Sequence, residues 1–162
     1  MTLTQDEKDL LKELMTNSAQ KGNLANSGLV LENNNVIAYA ESLVVTNNDA
    51  TAHSERMLVE QVGKLKGKNY TPGLTMVTVV EPCLMCMSAC SQSGYKEIAY
   101  IIPAKRYVEK IAWMTDTKLV NKELIAQQFS EPIKFTYLKE FEEEFCLVFE
   151  KVMNHLLKKS NE

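Results

Sequence analysis

Two short segments of this 162-residue chain carry side chains whose types and spacing could do metal-assisted chemistry: His53-Ser54-Glu55 and Pro82-Cys83-Leu84-Met85-Cys86. A catalytic zinc ion takes three protein ligands, commonly imidazole nitrogen and thiolate, and keeps a fourth position open for water. His53, Cys83 and Cys86 supply three such ligands. The cysteines stand one helical turn apart, so both sulfurs can point at one ion. Pro82 is a favoured first helical residue, and the unsatisfied N–H groups and dipole of a first turn favour thiolates. Two thiolates cancel the charge of Zn²⁺, which weakens its acidifying effect on water. A carboxylate must then take the proton and pass it on, and Glu55 is the candidate. Glu55 would not share a face with His53 in mid-helix. At a helix start, the first turn can aim His53 at the ion and Glu55 at the water beside it. The expected reaction is attack of zinc hydroxide on an electron-poor carbon, followed by loss of a protonated leaving group. One zinc ion per chain, with bound water or hydroxide, is the cofactor expected.

The elements that must position these residues are legible in the apolar spacing. Residues 4–20 predict a first helix, with Thr4 and Glu7 at capping-box spacing and Leu10, Leu11, Leu14 and Met15 as its stripe. Gly28–Leu31 and Val36–Ala40, joined by an Asn-rich turn, predict a hairpin, and Glu41–Asp49 a loop. A helix is expected to start near Thr51 with Met57, Leu58, Val62 and Leu65 inward. After a turn at Pro72-Gly73, the β-branched run Thr75–Val80 reads as a buried strand. It delivers a helix from Pro82 to about Ser93 to the edge of the sheet, where α/β proteins tend to place their sites. Ile98–Ile102 is the next strand. Helical pieces are expected at 104–113 and 121–129, a strand from Ile133 to Leu138, and a last helix from about Glu140 with Phe141, Phe145, Val148, Val152 and Leu156 inward. Glu142-Glu143-Glu144 and Lys158-Lys159 suit the dipole at its two ends. Strands interleaved with helices imply a layered α/β sandwich whose sheet is mixed.

Composition bounds the function. With 45% hydrophobic and 24% charged residues, the chain can bury a core without disulfide staples and fits a single domain over 1–162. A net charge of −3 disfavours a protein whose main task is gripping phosphate backbones, so nucleic acid is not the expected partner. The first eight residues are charged where a signal peptide would be apolar, and no run approaches the roughly 20 apolar residues of a membrane span. A cytoplasmic location is expected, where four cysteines suggest metal or redox chemistry more than structural disulfides.

The order H-x-E followed by P-C-x-x-C resembles the signature of zinc deaminases, the cytidine deaminase-like superfamily. The longer stretches Asp49–Glu55 and Glu81–Cys86 resemble the branch that holds bacterial guanine deaminases and tRNA adenosine deaminases. The likeness covers roughly residues 5–105. It implies a three-layer α/β/α sandwich with a mixed five-stranded sheet, usually a homodimer, acting on a nucleobase, nucleoside or related amino-heterocycle of guanine or cytosine type. It also implies that the Ala52 N–H and the Glu81 region help to hold the base. The chain departs from those relatives at Ala50, where they have Pro, and at Ser54, where they have Ala. Ser42 stands eleven positions before His53, where they carry a base-binding Asn, and Asn47 or Asn48 could substitute if the loop is shifted.

Other readings of the same residues predict different observations. A tRNA- or RNA-editing deaminase would share the site but need a basic groove. Cys83 and Cys86 could instead form a redox dithiol, or a closed zinc site without catalysis. Trp113 suits an interface or the core, or stacking on a substrate ring. Cys90 and Cys146 read as small buried hydrophobes. His155 reads as a surface residue.

Overall fold

The computed structural model describes residues 1–157. Five strands form one sheet in the order β2-β1-β3-β4-β5: β1 (Ser27–Glu32), β2 (Asn35–Glu41), β3 (Thr75–Val80), β4 (Glu97–Ile102) and β5 (Lys134–Tyr137). β1 runs antiparallel to both β2 and β3, whereas β3, β4 and β5 are mutually parallel, so the sheet is mixed as expected. The β1–β2 hairpin closes through Asn33 and Asn34, both at positive φ, the two-residue turn that suits the twist of paired strands. Asn tolerates that conformation better than other side chains do.

Among the described residues, five α-helices cover the two faces. α1 (Gln5–Gln20) begins at the capping box of Thr4 and Glu7, with both reciprocal hydrogen bonds present. It packs beside α5 (Glu142–Val152), and Leu11, Met15, Phe145 and Phe149 close one core against the sheet. α2 (Ser54–Lys66), α3 (Leu84–Gln92) and α4 (Lys122–Gln128) cover the other face, where Leu58, Val62, Met87 and Ala126 meet Val30, Met76 and Ile98. The result is the three-layer α/β/α sandwich. No described helix is long and apolar enough to cross a membrane.

Several expectations need correction. α2 starts at Ser54 rather than near Thr51, and Leu65 is 65% exposed because the last turn runs past the layer that covers Leu58 and Val62. Residues 104–113 hold only a 3₁₀ turn at Ala104–Arg106 and isolated turns. Tyr107 and Ile111 are both buried, so their spacing of four mimics a helix face that the backbone builds turn by turn. The final helix is preceded by a separate 3₁₀ turn, Lys139–Phe141, and ends before Leu156, which packs against the core from the turn beyond. Lys158 and Lys159 lie outside the described residues. The strand that leads to the cysteines is the central one, β3, and they sit at its carboxyl end, the edge of the sheet where such sites are expected.

Candidate metal centre and its cavity

His53 and Cys83 are the N-caps of α2 and α3, the two helices packed side by side on one face of the sheet. Cys83 therefore stands just outside the first turn that the sequence assigned to it, with Pro82 one residue further out. Cys86 is fully buried in that first turn. Around His53 the loop is fixed locally. Asp49 Oδ1 accepts from the N–H and hydroxyl of Thr51, and the Arg56 guanidinium donates to the Thr51 carbonyl at 2.6 Å.

His53 Nδ1 lies 3.6 Å from Cys83 Sγ and 3.6 Å from Cys86 Sγ. Zinc bonds of roughly 2.0–2.1 Å to nitrogen and 2.3 Å to sulfur, at tetrahedral angles, place a nitrogen roughly 3.6 Å from each sulfur. The three side chains fit a shared ion, with their ligand atoms all within 4.8 Å of one another, and form a candidate zinc site. Without metal, the Cys86 hydrogen bond, aided by His53, lowers the Cys83 thiol to about 4. Cys86, which gives that bond and is buried, is pushed up. Of the two thiols, Cys83 thus becomes a thiolate first, the form a metal ligand needs. The bond to Cys83 raises His53 against the opposing pull of burial.

Glu55 is buried, and burial pushes its carboxyl above the usual glutamate range. Its oxygens accept from Ser54 Oγ at 3.1 Å, Thr78 Oγ1 at 3.1 Å and Asn26 Nδ2 at 3.4 Å. Glu55, His53 and Cys83 share the wall of one cavity of about 310 Å³, at the small end of the roughly 300–1,000 Å³ typical of ligand pockets. Ser42, Glu81 and Trp113, all anticipated near the substrate, line the same cavity, with Trp113 42% exposed at its wall. Three other anticipated residues do not. Asn47 and Asn48 are exposed in the loop before α2, away from the wall. Ala52 is buried off the wall, and its N–H already donates to the Asp49 carbonyl at 3.0 Å, which removes it as a donor to the base.

Sequence reasoning missed three polar wall residues, Asn26, Thr115 and Asp116. Asn26 left one faint signal, a polar pair with Ser27 just ahead of the buried run of β1. Asp116 lies in an irregular segment and left none. Asp116 Oδ2 holds the buried Lys122 ammonium at 2.5 Å, and Glu81 Oε1 stands 3.6 Å from it. Glu81 Oε2 accepts from the Ala104 N–H at 2.8 Å. Lys122 is thus committed to two carboxylates of the cavity wall. Cys90 and Cys146 are buried, and His155 is exposed.

Fold and metal-ligand set together match the zinc-binding region of a deaminase family. The chain belongs to the cytidine and deoxycytidylate deaminase family, whose zinc-binding region it matches over residues 3–102. It is 29% identical over 101 residues to a tRNA-specific adenosine deaminase of Bacillus subtilis, a match spanning 60% of this chain and 62% of that protein. The chain thus matches less than two thirds of that relative's length. A guanine deaminase from Nitrosomonas europaea superposes with a TM-score of 0.79 at 17% identity, covering 94% of this chain and 85% of that one. A structure from work on tRNA:A34 deaminases, which edit adenosine to inosine at the wobble position, gives 0.71 at 18% identity over 87% and 96%. At such identities the structural likeness establishes the fold.

Proposed function

We propose that the chain is a hydrolytic deaminase of a small amino-substituted ring, a nucleobase or nucleoside of guanine or cytosine type. Water would replace the ring amino group by oxygen and release ammonia. One observation carries this reading: the His53 nitrogen is at zinc-sharing distance from both sulfurs, and His53 and Cys83 line the wall that also presents Glu55. Zinc, when held by His53, Cys83 and Cys86, supplies a Lewis acid that makes water nucleophilic near neutral pH. Glu55 would take one proton of the attacking water on a carboxylate oxygen and deliver it to the ring nitrogen as the C–O bond forms, then carry the remaining hydroxyl proton to the amine, which leaves as ammonia while the carbonyl forms. Trp113 offers a face for the ring and Ser42 a hydroxyl for its edge. The cavity size supports a small substrate. With Lys122 neutralised by Asp116 and Glu81, the wall offers a phosphate no free cation among its lining residues.

Ammonia release from guanine, cytosine, adenine, their nucleosides and aminotriazines tests the reading. The zinc-loaded protein is expected to turn over at least one of them, and Glu55→Ala to lose activity about a hundredfold or more. If both proteins are equally inert on every compound, the proposal fails. The identity to a tRNA-specific adenosine deaminase favours a second reading, editing of tRNA at the same site. That reading requires RNA binding that weakens steeply with salt. Four free cysteines suit the reducing cytoplasm. Exposed Leu119, Val120 and Leu124 support burial of that face in a homodimer.

A further inference from the structure

A carboxyl group 2% exposed, like that of Glu55, has almost no solvent to orient it, so its direction is set by whatever donates to it. Two of its donors lie outside both sequence motifs and come from distant parts of the chain. Asn26 precedes β1, and Thr78 sits in the middle of β3. Asn26 is not free to turn its amide over. Its Oδ1 accepts the Val80 N–H at 2.9 Å, which forces Nδ2 toward Glu55 Oε1 at 3.4 Å. The single proton of the Thr78 hydroxyl has three acceptors within reach: Glu55 Oε1 at 3.1 Å, the Val80 carbonyl at 3.0 Å and Asn26 Oδ1 at 3.4 Å. Of the three, Glu55 Oε1 is the one that belongs to the proton carrier, and Thr78 stands within hydrogen-bond reach of it. Thr78 is fully buried in the run Met76-Val77-Thr78-Val79-Val80, where a valine would pack as well and would bury no hydroxyl.

We propose that Asn26 and Thr78 are positioning residues for the reaction, which hold the Glu55 carboxyl toward the cavity beside the metal ligands. They touch Glu55 and act through it. The proposal rests on the deaminase reading and deepens it by assigning two residues outside the zinc motifs to its proton carrier.

Three variants separate this role from simple packing. Thr78→Val keeps shape and removes the donor, while Thr78→Ser keeps the hydroxyl. Asn26→Asp keeps an acceptor for the Val80 N–H but sets a carboxylate against Glu55. Each is purified with zinc, its metal content is measured, and kcat and KM are determined on the substrate found by the ammonia panel. Crystal structures of zinc-loaded wild type and Thr78→Val are compared in parallel. Thr78→Val is expected to lose about tenfold in kcat with KM within about twofold and full zinc content. Thr78→Ser recovers to within about twofold of wild type, and Asn26→Asp loses about a hundredfold. In the Thr78→Val crystal, Glu55 takes a new or split conformation while His53, Cys83 and Cys86 superpose. An unmoved Glu55, equal kcat in Thr78→Val and wild type, or a loss confined to KM overturns the proposal. If wild type releases ammonia from nothing, the deaminase reading fails separately, and the Glu55 conformation alone then decides whether the two residues position it. If Asn26→Asp does not fold, the threonine pair carries the test.

Discussion

One imidazole nitrogen equidistant from two sulfurs at 3.6 Å is a metal-sized gap, held open by the caps of two neighbouring helices. Serine in place of either thiolate removes a soft ligand and leaves the shape. Cys83→Ser and Cys86→Ser are each expected to lower bound zinc from about one per chain to below about 0.2 after dialysis, measured by elemental analysis. Glu55→Ala, which removes no ligand, should keep its zinc. Retention of full zinc by both serine variants would contradict the assignment. These four residues were readable in the sequence because each lies within three positions of another, close enough for helix-start geometry to fix their relation. Asn26 was not readable, because 29 residues separate it from Glu55 and the packing of α2 across β1 is what brings them together. Lys122 was hidden for the same reason: one of its two partners, Glu81, is far off in the chain.

At the scale of elements, β1 carries a tight constraint. It lies between β2 and β3 with α2 across its face, and a Cβ on Gly28 would stand 2.9 Å from the Val77 carbonyl oxygen and 3.0 Å from Leu58 Cδ1. The oxygen belongs to backbone and cannot step aside. Gly28→Ala is therefore expected to destabilise the fold by about 1–3 kcal/mol, read as a lower midpoint in urea. An unchanged midpoint would mean that the strands separate more easily than their packing suggests. Most elements were legible from apolar period or β-branched content, because the helices bury one face against a single sheet and β3 is buried throughout. The stretch after β4 was not. Tyr107 stacks on Phe149 with ring centroids 4.2 Å apart, so a tertiary contact, not helix formation, explains the burial of this residue. Leu65 failed the other way, keeping helical register with Leu58 and Val62 beyond the layer that covers them.

Across the whole molecule, α1 and α5 are tied by charge as well as by packing. Lys12 and Lys8 both pair with Glu144, and each ammonium also stands 5.2 Å from a ring centroid, Phe145 and Phe141 respectively. The Lys12 hydrogen bond, more than any other contact, holds the Glu144 carboxyl below the ordinary 4.5. A carboxylate lowered in the folded state stabilises the fold above its unfolded value, and that stabilisation is lost as pH falls through the folded one. The pair is partly exposed, so the effect is small. Glu144→Gln is expected to lower Tm by about 2 °C at pH 7 and by less near pH 3, measured by thermal unfolding at both pH values. Equal shifts at both would assign the loss to packing instead.

The cavity has walls of two origins. His53, Glu55 and Cys83 come from the stretch shared with the family, whereas Ala104 and Trp113–Asp116 follow residue 102, where that match stops. Much of the latter wall hangs on an irregular segment pinned through the Asp116–Lys122 ion pair. Such an arrangement lets lineages retune ligand choice by rewriting a loop while the reactive machinery stays untouched, so drift in preference carries little risk of losing chemistry altogether.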